Sequence, residues 1–98
     1  MSSQLREVST QPIITSVIPI NEGLIINYDP PIYDGGYQIT AYKFSVDNGV
    51  TYPFTTSNTS SFTINDLING TIYQVIMLAV NADGYSPASN MVEGTPSN

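Results

Sequence analysis

Ninety-eight residues make one small domain, which on folding buries only about 60–65% of the surface its unfolded chain exposes. Charged residues are 10% of the chain, two basic against eight acidic, for a net charge of −6. Two cations cannot neutralise a run of phosphates, so nucleic acid is not expected as a partner and anionic membrane surfaces are disfavoured. With no His and no Cys, the usual general base, thiol nucleophile and zinc ligands are missing, and no catalytic residue, cofactor or metal site is expected. Ser, Thr and Asn supply thirty residues, so solubility comes from neutral polar groups. The longest apolar run, Val75 to Val80, is six residues, far short of a membrane-spanning helix. The first six residues hold no apolar signal-peptide core, so the expectation is that the parent protein is not exported by that route or that this is one piece of a longer chain.

In chain order, residues 1–10 are polar and patternless and read as a tail or linker. Residues 11–96 read as the domain and 97–98 as a C-terminal linker. Pro12 to Ile18 reads as a first strand, closed by Pro19. Leu24, Ile26 and Tyr28 alternate with Ile25 and Asn27 in a second, which stops at Asp29-Pro30-Pro31 because Pro has no amide to give a ladder. Residues 30–37 form a Gly-bearing loop. Tyr42, Phe44 and Val46 alternate with Lys43 and Ser45 in a third strand, and the out-of-phase Ile39 suggests a bulge near its start. Asp47-Asn48-Gly49 is a hairpin signal. Val50 to Thr56 returns as a fourth strand that Pro53 consigns to an edge. Phe62 and Ile64 mark a fifth, Thr71 to Asn81 a long sixth, and Ala88 to Glu93 a seventh. Seven short strands with regular turn signals and no helical period predict an all-β, seven-stranded antiparallel sandwich of immunoglobulin-like class.

Leu67-Ile68-Asn69-Gly70-Thr71-Ile72-Tyr73, the alternating apolars that follow, and Asn81-Ala82-Asp83-Gly84-Tyr85-Ser86 together resemble the fibronectin type III family over residues 11 to 96. Asp29-Pro30-Pro31, Ile39, Tyr42 and Phe44 fit the same pattern. The resemblance implies a tyrosine corner made by Leu67 and Tyr73. It also implies an aromatic core position at Tyr28, where the family usually has Trp; a Tyr serves there if its hydroxyl finds a partner.

Two features bear on partners. On the sixth strand, if Tyr73, Val75, Met77 and Ala79 face the core, then Ile76, Leu78 and Val80 face outward. Three apolar outward residues suggest a contact patch for a neighbouring domain or a second copy, although a monomer is the expected state. In addition, Tyr33 and Tyr37 lie in the loop after the second strand, and Tyr85 lies in the loop after the sixth. The resemblance puts both loops at one end of the sandwich. With Asp34, Asp83 and neighbouring glycines, their composition is that of a contact surface for a protein or glycan. Asp29, Asp34 and Asp83 match no calcium-loop spacing, there is no Arg-Gly-Asp tripeptide, and the Asn-x-Ser/Thr matches at Asn58 and Asn69 are expected by chance in so Asn- and Thr-rich a chain. The expected role is a non-catalytic spacer or adhesion-type unit of a larger multidomain protein, in an extracellular, cell-surface or virion-associated setting. The alternatives are recognition through the two loops and assembly through the outer face of the sixth strand.

Overall fold

The computed structural model describes residues 6–98. Among them there is no helix. Eight strands run β1 (Ile13–Ile20), β2 (Gly23–Asp29), β3 (Ala41–Ser45), β4 (Phe54–Ser57), β5 (Ser61–Ile64), β6 (Tyr73–Asn81), β7 (Gly84–Tyr85) and β8 (Val92–Gly94). One sheet has the order β1-β2-β5. The other has the order β4-β3-β6, with β7 and β8 both on the far side of β6, and every strand pair is antiparallel. The two sheets stack as a sandwich.

Alternation decides which side chains meet between the sheets. Leu24, Ile26 and Tyr28 of β2, Tyr42 and Phe44 of β3, and Val75 and Met77 of β6 are all buried, while Tyr73 is half-buried at the rim. The aromatic rings pack as a cluster: Tyr28 and Tyr42 lie 4.9 Å apart between centroids, Tyr28 and Phe44 5.5 Å, and Phe44 stacks on Phe62 at 4.8 Å. Tyr28 seats its ring inside and its hydroxyl against Thr59 Oγ1 at 2.8 Å, the partner a Tyr needs there. Tyr42 is the exception. It is fully buried, and its hydroxyl meets no hydrogen-bond partner among the described residues; burial, and after it the neighbouring Tyr28, hold its pKa above the ordinary phenol value. The tyrosine corner forms as the resemblance implies: the Ile68 amide donates to Tyr73 Oη at 2.9 Å, and the Leu67 amide donates to the Glu22 carbonyl.

Three differences from the sequence reading have physical causes. Pro19 does not close the first strand, which runs on to Ile20 with Pro19 opposite Leu24. β1 is an edge of its sheet, so the missing amide faces away from any ladder. Its register slips between Ile14 and Ser16 instead. On the β4 side, residues 50–53 stay outside the strand, which begins at Phe54 after Pro53. Ile39 is buried but precedes β3, so the chain dips into the core before the ladder starts.

The last strand is split for a more specific reason. Tyr85 pairs with Val80, the Ser86 amide donates to the Ala79 carbonyl, the Ser89 amide donates to the Met77 carbonyl, and Val92 pairs with Val75. From Ser86 onward this strand spends three residues for every two of β6. At each slip a hydroxyl replaces the displaced carbonyl: Ser86 Oγ accepts from the Ala79 amide and Ser89 Oγ from the Met77 amide, both at 2.9 Å. Each hydroxyl then donates to the next carbonyl along, that of Pro87 or Asn90. The predicted seventh strand is thus two short pieces, β7 and β8, joined by a doubly bulged segment in which Pro87 needs no amide.

The β3–β4 hairpin turns where expected, with Asn48 and Gly49 at φ 58° and 88°. Asp47 organises it. Its carboxylate accepts from the Ser45 and Thr51 hydroxyls, each at 2.6 Å, and from the Thr51 amide at 3.0 Å. Those donors favour the charged form and lower its pKa from 3.8 to about 2. A folded-state pKa below the unfolded one means that the stabilisation is complete above about pH 4 and drains away as pH falls toward 2. The denaturation midpoint of the native chain therefore falls more steeply between pH 4 and 2 than that of Asp47→Asn. Parallel pH profiles over that window would contradict the network.

Candidate functional site: the braced loop end

Antiparallel pairing brings the β2–β3 loop (30–40), the β4–β5 connection (58–60), the β6–β7 turn (82–83) and residues 6–12 to one end of the sandwich. The N-terminal segment is built into this end. The Glu7 amide donates to the Gly35 carbonyl at 2.8 Å and the Thr10 amide to the Tyr33 carbonyl at 2.9 Å, while the Tyr33 amide donates to Thr10 Oγ1 at 3.1 Å. Ser9 is buried. Residues 7–10, read from sequence as part of a tail, are therefore a structural strap along the loop. A patternless polar stretch carries no periodic signal, so only its partner at residues 33–35 reveals this.

Asn81 ties three segments together. Its Nδ2 donates to the carbonyls of Glu7 (2.7 Å) and Asp34 (2.9 Å), and its Oδ1 accepts from the Asp83 amide (2.9 Å). Asp34 and Asp83, both exposed, are brought to this shared anchor. Asp34 Oδ1 further accepts from the Gly36 amide, folding its own turn. Among the described residues no group of three acidic side chains could hold a metal ion.

The three loop tyrosines have different settings. Tyr33 is 42% exposed and held at its backbone by Thr10. Tyr37 is half-buried, with the Arg6 guanidinium 5.3 Å from its ring centroid, a cation–π contact. Tyr85 sits opposite Val80 in the β6–β7 ladder and extends the outer face of that sheet. On the same outer face Leu78 and Val80 are half-buried, opposite Lys43 and Ala41. Ile76 differs from the outward patch read in the sequence. It is 7% exposed, because the hairpin after β3 folds back over it; a Cβ on Gly49 would stand 2.8 Å from Ile76 Cδ1 and 3.1 Å from the Tyr52 hydroxyl.

A cleft of about 500 Å³ opens beside Tyr33, between the β2–β3 loop and the β4–β5 connection. Pro30, Pro31, Ile32 and Ile39 supply its apolar surface, and Asp34, Gln38 and Asn58 its polar groups. The sequence does not bring Gln38 and Asn58 together: Gln38 belongs to no motif, Asn58 falls only in a chance Asn-x-Ser match, and they lie on separate loops.

The architecture is that of an immunoglobulin-like sandwich module presenting braced loops at one end. The fibronectin type III domain model matches residues 14–95, and the chain belongs to that family. A Kelch domain-containing protein of Saccharolobus solfataricus is 31% identical over 85 residues, covering 87% of this chain and 11% of that protein. The chain thus spans about a tenth of that curated relative. Among solved structures, a crystal structure of three consecutive titin domains superposes with a TM-score of 0.78 at 21% identity, over 93% of this chain and 33% of that one. A β-1,2-glucanase from Parabacteroides distasonis superposes at 0.74 and 19%, over 100% of this chain and 14% of that one. At such identities these structures establish the shared fold.

Proposed function

We propose that this chain is a non-catalytic spacer and interaction module of a larger protein, setting the distance and orientation of whatever adjoins it. The observation that carries the reading is that both ends of the described chain are hydrogen-bonded into the sandwich at opposite poles. Residues 7–10 strap the β2–β3 loop, while at the far end the Ser97 amide donates to the Ile20 carbonyl and the Gly70 amide to the Pro96 carbonyl. Neighbours joined at these ends inherit a fixed direction, unlike neighbours joined by free linkers. Two findings add support: the family is generally a non-catalytic one, and its domain recurs within multidomain proteins such as titin.

Small-angle X-ray scattering of a head-to-tail tandem, Asn98 of one copy followed by Arg6 of the next, tests it. The expected result is an extended particle with a maximum dimension roughly twice that of the single chain and a narrow spread of lengths. A tandem that folds back on itself, or samples a broad range of separations, overturns the reading. Self-association through the outer face of β6 is not proposed, since the cover over Ile76 leaves only Leu78 and Val80 half-exposed there.

A further inference from the structure

We infer that the cleft between the β2–β3 loop and the β4–β5 connection is a binding subsite for a neutral saccharide. The spacer reading neither requires this nor depends on it. Three features of the cleft converge on that chemistry.

The first is the type of polar group. Asp34, Gln38 and Asn58 end in planar carboxylate or amide groups, which pair two adjacent atoms with two vicinal hydroxyls. They are also available. Gln38 and Asn58 are exposed, and their amides bond to none of the described residues. Asp34 commits Oδ1 to the Gly36 amide, and its Oδ2 takes no partner among the described residues. Beside them Tyr33 offers a partly exposed ring, and Pro30, Pro31 and Ile32 offer carbon surface for the C–H faces of a pyranose.

The second feature is charge. Among the described residues no Lys or Arg lines the cleft. The chain's two cations are engaged elsewhere, Lys43 Nζ on Thr55 Oγ1 and the Arg6 guanidinium over Tyr37. A phosphate, sulfate or uronate would meet the Asp34 carboxylate with no counter-charge, in a molecule already at −6. An anionic ligand is therefore disfavoured, and the planar amide and carboxylate groups select one rich in hydroxyls.

The third is preorganisation. One wall is held by the Thr10–Tyr33, Glu7–Gly35 and Asn81–Asp34 bonds, and the other by Thr59 against the Tyr28 hydroxyl. The loops are already ordered, so binding loses little to ordering them, and even an open, one-subsite cleft can hold a sugar. Its shallowness sets the strength to around the millimolar range.

The experiment is a titration of the whole chain, followed by two-dimensional amide NMR, with cellohexaose, maltohexaose, xylohexaose and mannohexaose, each to about 10 mM, and with a heparin-derived hexasaccharide in parallel. At least one neutral probe is expected to give saturable shifts confined to residues 30–39 and 58–59, and the heparin fragment none. Asn58→Ala and Gln38→Ala each weaken that binding by about fivefold or more, with the melting temperature unchanged because both side chains are exposed and unbonded. Absence of saturable shifts with all four neutral probes overturns the inference. So do shifts centred elsewhere, equal binding of the heparin fragment, or unchanged affinity in both variants.

Discussion

Replacing Asn81 with alanine lowers the unfolding free energy by about 3 kcal/mol, since each of its three hydrogen bonds contributes on the order of 1 kcal/mol net. The side chain is 4% exposed and engages Glu7, Asp34 and Asp83 at 2.7–2.9 Å. Alanine leaves two carbonyls and one amide without their partner near the bottom of the loop end. Water can reach some of them, which keeps the cost below that of three fully stranded groups. Chemical denaturation measures the loss. Amide exchange locates it, with faster exchange expected at Glu7, Thr10 and Asp83 and unchanged protection in β2 and β3. A loss under about 1 kcal/mol would mean that the strap is held without Asn81.

Gly35→Ala costs about 2–4 kcal/mol through the same segment. Gly35 has φ +80°, a left-handed conformation that costs a residue with a Cβ about 1 kcal/mol. The larger part is steric. A Cβ there would overlap the Glu7 carbonyl oxygen and stand 2.8 Å from Asn81 Nδ2. The Glu7 backbone must move, which breaks its bonds to Gly35 and to Asn81. Gly70 is the control, because it has φ +85° and no atom within 4 Å of such a Cβ; Gly70→Ala should cost only about 1 kcal/mol. Asn81→Ala and Gly35→Ala both act by releasing Glu7, so the double variant is expected to lose about 1 kcal/mol less than the two single losses added. Strict additivity would show that the strap and the loop are held independently.

Both substitutions also bear on the cleft. Tyr33 and Asp34 are positioned by Thr10 and Asn81, so releasing the strap loosens one wall while leaving the chemistry of Gln38 and Asn58 intact. Loss of saccharide binding in Gly35→Ala, with Asn58 unaltered, would separate preorganisation from direct contact.

The sandwich was legible in the sequence because strand alternation is a local signal. Leu24, Ile26 and Tyr28 announce their shared inward face within five residues, as do Tyr42 and Phe44, and Asp29-Pro30-Pro31 announces the end of a ladder. The tyrosine corner was legible only through the family resemblance of residues 67–73, and the structure forms it with the Ile68 amide on the Tyr73 hydroxyl. Alternation also gave a misleading reading where it was applied beyond its reach. It assigns Ile76 correctly to the outer face but cannot tell that the hairpin through Gly49 and Tyr52 covers it.

Amino-acid order alone thus determined the class of fold and most of the inward residues, which follow from local period. Only the tertiary structure decided how the loop end is braced and where its cleft lies. Asn81 reaches a carbonyl 74 residues away at Glu7, Asn58 meets the Tyr33 loop across the sandwich, and Ser86 and Ser89 replace carbonyls in a ladder whose slip no local pattern encodes. The reason is physical: a strand's period is written in its own residues, whereas a hydrogen bond or a cleft wall depends on two segments whose proximity exists only once both sheets have closed on the core.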